Sequence, residues 1–186
     1  MAATIEPLLT IEDLDACPDD GNRYELIGGR IFVSRAPGIP HQRALNNLLF
    51  EIESYLRRNP VGILVPGVGA IFSRHDAVIP DLVFVLNENW ENVTTATALK
   101  GPPDLAIEIL SPGTENRRRD VILKRELYAK YGVSEYWLID PKNRSMNIYR
   151  LSSGKLEAIA TLVNGDRITS PLLPGFQPGV SEILIP

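Results

Sequence analysis

Ile79-Pro80-Asp81-Leu82-Val83-Phe84-Val85 places an acid at the head of an apolar run, and Leu105-Ala106-Ile107-Glu108-Ile109-Leu110-Ser111-Pro112 places a second acid inside another. Nearly continuous apolar runs of this length read as strands buried on both faces. The two acids are too far apart for one element but well placed for neighbouring strands. Arg119-Asp120-Val121-Ile122-Leu123-Lys124 follows on a predicted helix and brings a cation toward them. Two carboxylates side by side on a sheet, backed by a cation, suit a hard divalent cation.

Glu108 is the most informative residue. Burying an unpaired carboxylate is costly, so such a group is paired, protonated or metal-bound. On this residue alone a functional role stands even with the alternatives, an exposed face or end of the strand or a structural ion pair with an arginine. Asp81 follows Pro80 at the first position of a strand, where a missing amide is tolerated. Asp76, in Arg74-His75-Asp76, reads as a solvated turn residue.

Asp120, Lys124 and Tyr128 share one helix face by their spacing. On spacing alone they are a surface set, with an acid–lysine pair worth about 0.2–0.5 kcal/mol. The other reading points Lys124 at the sheet edge, where it activates water or offsets phosphate charge. Glu25 alternates with Tyr24 and Leu26 on a predicted strand. His41 opens the first long helix on its buried face, where a lone histidine is more often packed than catalytic. Arg117-Arg118-Arg119 at the next helix start could contact a phosphate backbone, though a solvated charge run is the default. Tyr136 and Trp137 are core residues of a strand. No Gly-x-Ser-x-Gly elbow and no phosphate loop of the Walker type occurs.

Around these motifs the pattern predicts a short helix over 10–17, capped by Thr10 with Asp13 at its third position. Strands over 24–27 and 30–34 join through Gly28-Gly29, a pair suited to a tight primed turn. Pro37-Gly38-Ile39-Pro40 reads as a loop. A helix from His41 to about Arg58 has Leu45, Leu48, Leu49, Ile52 and Leu56 on one face. Further strands fall over 63–65, 69–73, 81–86, 104–110, 135–140 and 146–151, with polar residues 87–101 linking two of them. A helix over 117–131 is capped by Thr114 or Asn116 and stopped by Gly132. The remainder from Lys155 reads as short strands and turns. The expected fold class is α/β (α+β), one mixed sheet flanked by helices with added hairpins.

The chain has 186 residues, 44% of them hydrophobic and 23% charged, with a net charge of −4. That is enough for one domain, 1–186, with a full core. The acidic balance argues against a simple nucleic-acid binder, although acids at a metal site lower the net charge by themselves. A single cysteine, Cys17, excludes an internal disulfide framework and a thiolate cluster. Neither a secretory leader nor a membrane-length apolar run is visible, so a cytoplasmic protein with no membrane partner is expected.

Taken together, Tyr24-Glu25-Leu26-Ile27-Gly28-Gly29-Arg30, His41, Pro80-Asp81-Leu82-Val83, Asp104 through Pro112, Asp120 with Lys124, Tyr128 through Trp137, and Leu173-Pro174-Gly175-Phe176 resemble the Uma-type putative restriction endonucleases. That family belongs to the PD-(D/E)XK nuclease superfamily, and the likeness covers nearly the whole chain. It implies a restriction-endonuclease-like core and a Mg2+-dependent (or Mn2+-dependent) DNA phosphodiesterase. Asp81 and Glu108 match the metal-binding acids, with the carbonyl of Ile109 as a further oxygen. The superfamily's lysine would stand two places after Glu108, where this chain has Leu110. The family places it on the following helix, which makes Lys124 the catalytic lysine. Glu25 and His41 are expected to line the site, and Arg117, Arg118 and Arg119 to hold DNA. Nucleases of this size often pair to cut both strands, so a homodimer is an expectation. The alternative is a catalytically weak or inactive module that keeps the fold to bind nucleic acid or protein.

Overall fold

Gly28 and Gly29, at φ 58° and 70°, close the hairpin of β1 (Arg23–Ile27) and β2 (Arg30–Ser34) with Ile27 opposite Arg30. A two-residue turn with positive φ at both positions matches the right-handed strand twist, and glycine adopts it without steric cost. The computed structural model describes residues 7–111, 113 and 118–185. Ahead of the hairpin, α1 (Ile11–Asp15) opens at Thr10, whose backbone N–H donates to Asp13 Oδ2 at 2.8 Å.

The long helix α2 (Ile39–Leu56) starts two residues before the expected position. Pro40 lies in its first turn, where no N–H is needed, so part of the expected loop is helical. After it come β3 (Gly62–Pro66), β4 (Ala70–Ser73), β5 (Asp76–Val78), β6 (Leu82–Leu86), α3 (Asn87–Val93) and β7 (Leu105–Ile109). A π-helical turn, Arg119–Lys124, runs into α4 (Arg125–Tyr131), which Gly132 ends at φ 86°. The chain continues through β8 (Glu135–Asp140), β9 (Ser145–Ser152), β10 (Lys155–Val163) and α5 (Val180–Ile183). The proposed caps Thr114 and Asn116 lie outside the described residues.

The strands make two sheets instead of one: β2-β1-β5-β4, and a six-stranded sheet ordered β10-β9-β8-β7-β6-β3. The separation arises at Asp76. This residue does not sit in a solvated turn; it begins β5, is buried, and β5 folds back to pair with β1 at Leu26 and Ala77. Residues 87–101 also differ from expectation by holding α3, and the segment from Lys155 forms one long strand, β10, in place of several short ones.

Only β7 and β8 run parallel in the larger sheet, as the crossover through α4 requires. Side-chain alternation then assigns the core. Leu82, Phe84, Leu105, Ile107, Trp137 and Ile139 pack toward α2, with Ala44, Leu48 and Ile52 against them. Val83, Val85, Ala106, Leu110, Tyr136 and Leu138 pack toward α4 through Leu127 and Tyr128. Glu108 lies between Ala106 and Leu110 and so shares the α4 face. Asp81, two residues before Val83, falls on that face as well.

Candidate active site

β6 and β7 are antiparallel with Leu82 opposite Ile107 and Val83 opposite Ala106. One further step of this register sets Asp81 opposite Glu108. Directly opposed positions have Cβ atoms about 4.5–5.5 Å apart, and like charges there repel. The repulsion needs local compensation.

Four elements besides the sheet supply it. Asp81 Oδ2 accepts the N–H of Ile109 at 2.8 Å and the ring Nε2–H of His41, from the first turn of α2, at 3.0 Å. Arg23 on β1 lies 3.4 Å from Asp81 Oδ1. Glu108 Oε1 accepts from Lys124 Nζ at 2.8 Å and from the Tyr128 hydroxyl at 2.6 Å. Lys124 is shared with Glu25 Oε1, also at 2.8 Å, and Glu25 Oε1 additionally takes the N–H of Ile79. Arg119 lies 3.5 Å from Glu25 Oε2 and donates to Asp120 Oδ1 at 3.0 Å.

The π-helical turn makes this second cluster. Its hydrogen bonds reach five residues back, so Arg119 stacks above Lys124 and both meet Glu25. Asp120 still lies 3.9 Å from Lys124. Lys124 is only 2% exposed, so the surface-pair reading of Asp120 and Lys124 is corrected: both are interior. Among the described residues of the arginine run, only Arg119 departs from a solvated charge. Arg118 is exposed, Arg119 is 8% exposed and clamped between acids, and Arg117 lies outside the described residues.

These groups border a cavity of about 40 Å³, room for a cation with a few waters. Glu25, Asp81, Glu108 and Asp120 line it, against two buried cations, Arg119 and Lys124; Arg23 and Arg35 stand toward its rim. The buried part therefore carries two negative charges in excess when all four acids are ionised. Burial, aided by the charges of Asp81, Asp120 and Glu25 and opposed by Lys124, pushes the Glu108 carboxyl up to about 8. At neutral pH the site relieves its excess charge by holding a proton there. Asp81 goes the other way: burial raises it, but the His41 ring and the Ile109 N–H hold it below the usual carboxylate value. Burial also disfavours charged Lys124, yet Glu108, Glu25 and Asp120 outweigh that and keep it protonated well above its usual range. His41 Nδ1 is buried and has no hydrogen-bond partner among the described residues.

The donor set fits one hard divalent cation. Asp81, Glu108 and the Ile109 carbonyl offer oxygens, and a divalent charge equals the excess that a proton on Glu108 now relieves in part. Among the described residues no group of three or more His, Cys, Asp or Glu side chains is placed to hold a metal ion. Mg2+ commonly binds through one or two carboxylates while keeping several waters, so a partial cage is its usual site.

The model of the Uma2 family, described as a putative restriction endonuclease, matches residues 11–183. The chain belongs to this family. The crystal structure of a putative nuclease belonging to DUF820 from Anabaena variabilis ATCC 29413 superposes on the chain with a TM-score of 0.78. It covers 95% of this chain and 97% of its own at 21% identity, a likeness that speaks for the fold. No curated protein matches the chain. The resemblance read from the sequence and the mixed α+β fold class are borne out. Among the described residues no helix is long and apolar enough to cross a membrane.

Sequence reading named Asp81, Glu108, Ile109, Lys124, Glu25 and His41, and the structure gathers all six at one cavity. It missed Arg23 and Tyr128 as partners of the two acids. Arg23 stands two positions before Glu25 on β1 and so shares its face; Tyr128 was visible as the third member of the Lys124 face.

Proposed function

We propose that the protein is a metal-dependent endonuclease that hydrolyses DNA phosphodiester bonds at this cavity. One observation carries the reading: Asp81 and Glu108 stand opposite each other on adjacent strands, with Lys124 on Glu108, in a cluster of four acids against two buried cations. Asp81, Glu108 and the Ile109 carbonyl would hold Mg2+ or Mn2+. The cation supplies Lewis acidity toward a phosphoryl oxygen and the attacking water.

The remaining chemistry falls to the chain. Lys124 keeps its proton at neutral pH, so it acts as a fixed positive charge and hydrogen-bond donor toward the water or the phosphate, and is not a base. Glu25 and Tyr128 hold Lys124 and Glu108 in place. His41 fixes the Asp81 carboxylate. Arg23 and Arg35, toward the rim, suit a phosphate entering from outside, and Arg119 offers a further cation within.

A second reading has its own observation. Leu110, at the superfamily's lysine position, is packed into the apolar cluster beside Leu127 and Tyr128, which fits a module that binds without cutting. Supercoiled plasmid incubated with the wild type, Asp81→Asn and Glu108→Gln, each with Mg2+ and with EDTA, separates the two. The nuclease reading expects nicking by the wild type in Mg2+ alone. Absence of nicking in every metal tried supports the binding module.

A further inference from the structure

A groove of about 330 Å³ lies between the first turn of α2, the β8–β9 turn and the end of α5. Its floor is apolar: Ile39 is 77% exposed and Ile185 49%, with Pro40 beside them. Arg43, Lys142 and Arg144 also line it, all three exposed, and no acidic residue is among its lining. In a chain of net charge −4, a purely basic groove is a local exception. Arg43 and Lys142 have no ion-pair partner among the described residues, and Arg144 reaches only the Leu184 carbonyl, at 3.4 Å. The first turn of α2 contains no acid to cancel the positive end of this helix.

The position of the groove supplies its meaning. Pro37 and His41 line the catalytic cavity, while Ile39 and Pro40, between them in sequence, line the groove. One five-residue wall therefore separates the two. We infer that this groove receives the sugar-phosphate backbone of the nucleic-acid strand leading away from the scissile bond, with Arg43, Lys142 and Arg144 on its phosphates and the apolar floor under the sugars or a base. The inference rests on the nuclease reading for its direction and deepens it: the substrate is a polynucleotide held on both sides of the α2 start, not a mononucleotide ester. Phosphate contacts position a strand without reading its sequence, so the groove confers length preference and not sequence preference.

The test uses the full chain and does not depend on cleavage. Binding of a fluorescein-labelled 20-mer, single-stranded and duplex, is followed by anisotropy in EDTA across a salt series for the wild type and Arg43→Ala/Lys142→Ala. Removing two phosphate contacts is expected to weaken binding by about tenfold at low salt. It should also reduce the slope of log K against log salt by roughly 1.4–1.8, the contribution of two counterion-releasing contacts. Ile39→Asp, which puts a charge on the floor, is expected to weaken binding in the same assay. A wild-type salt slope in both variants overturns the inference. So does displacement of the labelled strand by polyglutamate at lower concentration than by an unlabelled 20-mer, which would assign the groove to an acidic protein segment. The two readings can fail separately. Plasmid left intact by the wild type in every metal, with the salt slope still reduced in the double variant, defeats the nuclease reading and keeps the groove. Plasmid nicked normally with an unchanged slope does the reverse.

Discussion

Lys124 is held at 2.8 Å by both Glu25 and Glu108, and its raised pKa follows from those partners. On the proposed nuclease reading, replacing it by alanine removes a charge that would face the phosphate, so the cleavage rate is expected to fall about 10²-fold or more, with Mg2+ binding largely kept. Leu110 follows β7 on the face of Glu108, so Leu110→Lys added to Lys124→Ala is expected to restore part of the rate. Full activity in Lys124→Ala would return the lysine to a structural role. Glu108 gives a second prediction, read in metal-free buffer. Its folded pKa, about 8, lies above the ordinary 4.5. The native state therefore binds the extra proton between those values, and stability falls as pH rises through them. Glu108→Gln removes this slope. Urea midpoints at pH 5 and pH 8 are expected to diverge in the wild type and to lie closer together in the variant, provided CD shows it folded. A wild-type midpoint that rises over that interval would contradict the assigned shift.

At the scale of elements, the site depends on α4 being held against the smaller sheet. Asp76 does this: it accepts the Gly28 N–H at 2.7 Å, the Ser73 hydroxyl at 3.2 Å, the Tyr131 hydroxyl at 2.7 Å and Lys130 Nζ at 2.9 Å. The acid thus ties the β1–β2 turn to the C-terminal turn of the helix that follows Lys124. Asp76→Ala removes the buried charged acceptor that these four half-buried or exposed donors share. It is expected to cost about 2–3 kcal/mol, a fall in Tm of roughly 5–10 °C for a chain of this size, read by thermal denaturation. Asp76→Asn keeps part of the acceptor set and is expected to cost less. Equal stability of all three proteins would show the link to be dispensable. The π-helical turn before α4 is the other device at this scale, since it puts Arg119 and Lys124 on the same carboxylate.

For the whole molecule, a ligand that binds the folded chain and not the unfolded one raises the melting temperature in proportion to the logarithm of its concentration. With four acids facing only two buried cations in the cavity, Mg2+ or Mn2+ is expected to raise Tm in a titration from EDTA into the millimolar range. Asp81→Asn is expected to abolish most of that rise and to melt below the wild type in EDTA, because the His41 ring and the Ile109 N–H lose their charged acceptor. A metal-dependent rise that persists in Asp81→Asn would place the cation elsewhere.

What could be read from the chain alone was what local patterns report. The apolar runs around Asp81 and Glu108, the Gly28-Gly29 turn, the Thr10 cap and the Gly132 stop each depend on neighbours in sequence, so backbone sterics and side-chain alternation determined them. The ordered motifs also sufficed for the family. Tertiary structure decided the rest. Whether Asp120 and Lys124 form a surface pair or a buried network cannot follow from their spacing, because the same helical face is polar in either case. Only the docking of that face onto Glu108 and Glu25 settles it. Asp76 looked like a turn residue because its four hydrogen-bond partners come from as far as Gly28 and Tyr131. The split into two sheets rests on the pairing of β5 with β1, some fifty residues apart, and the raised pKa of Glu108 rests on burial and on charges that only folding brings together. Local energies are written in local sequence; burial and long-range electrostatics exist only once the chain has closed on itself.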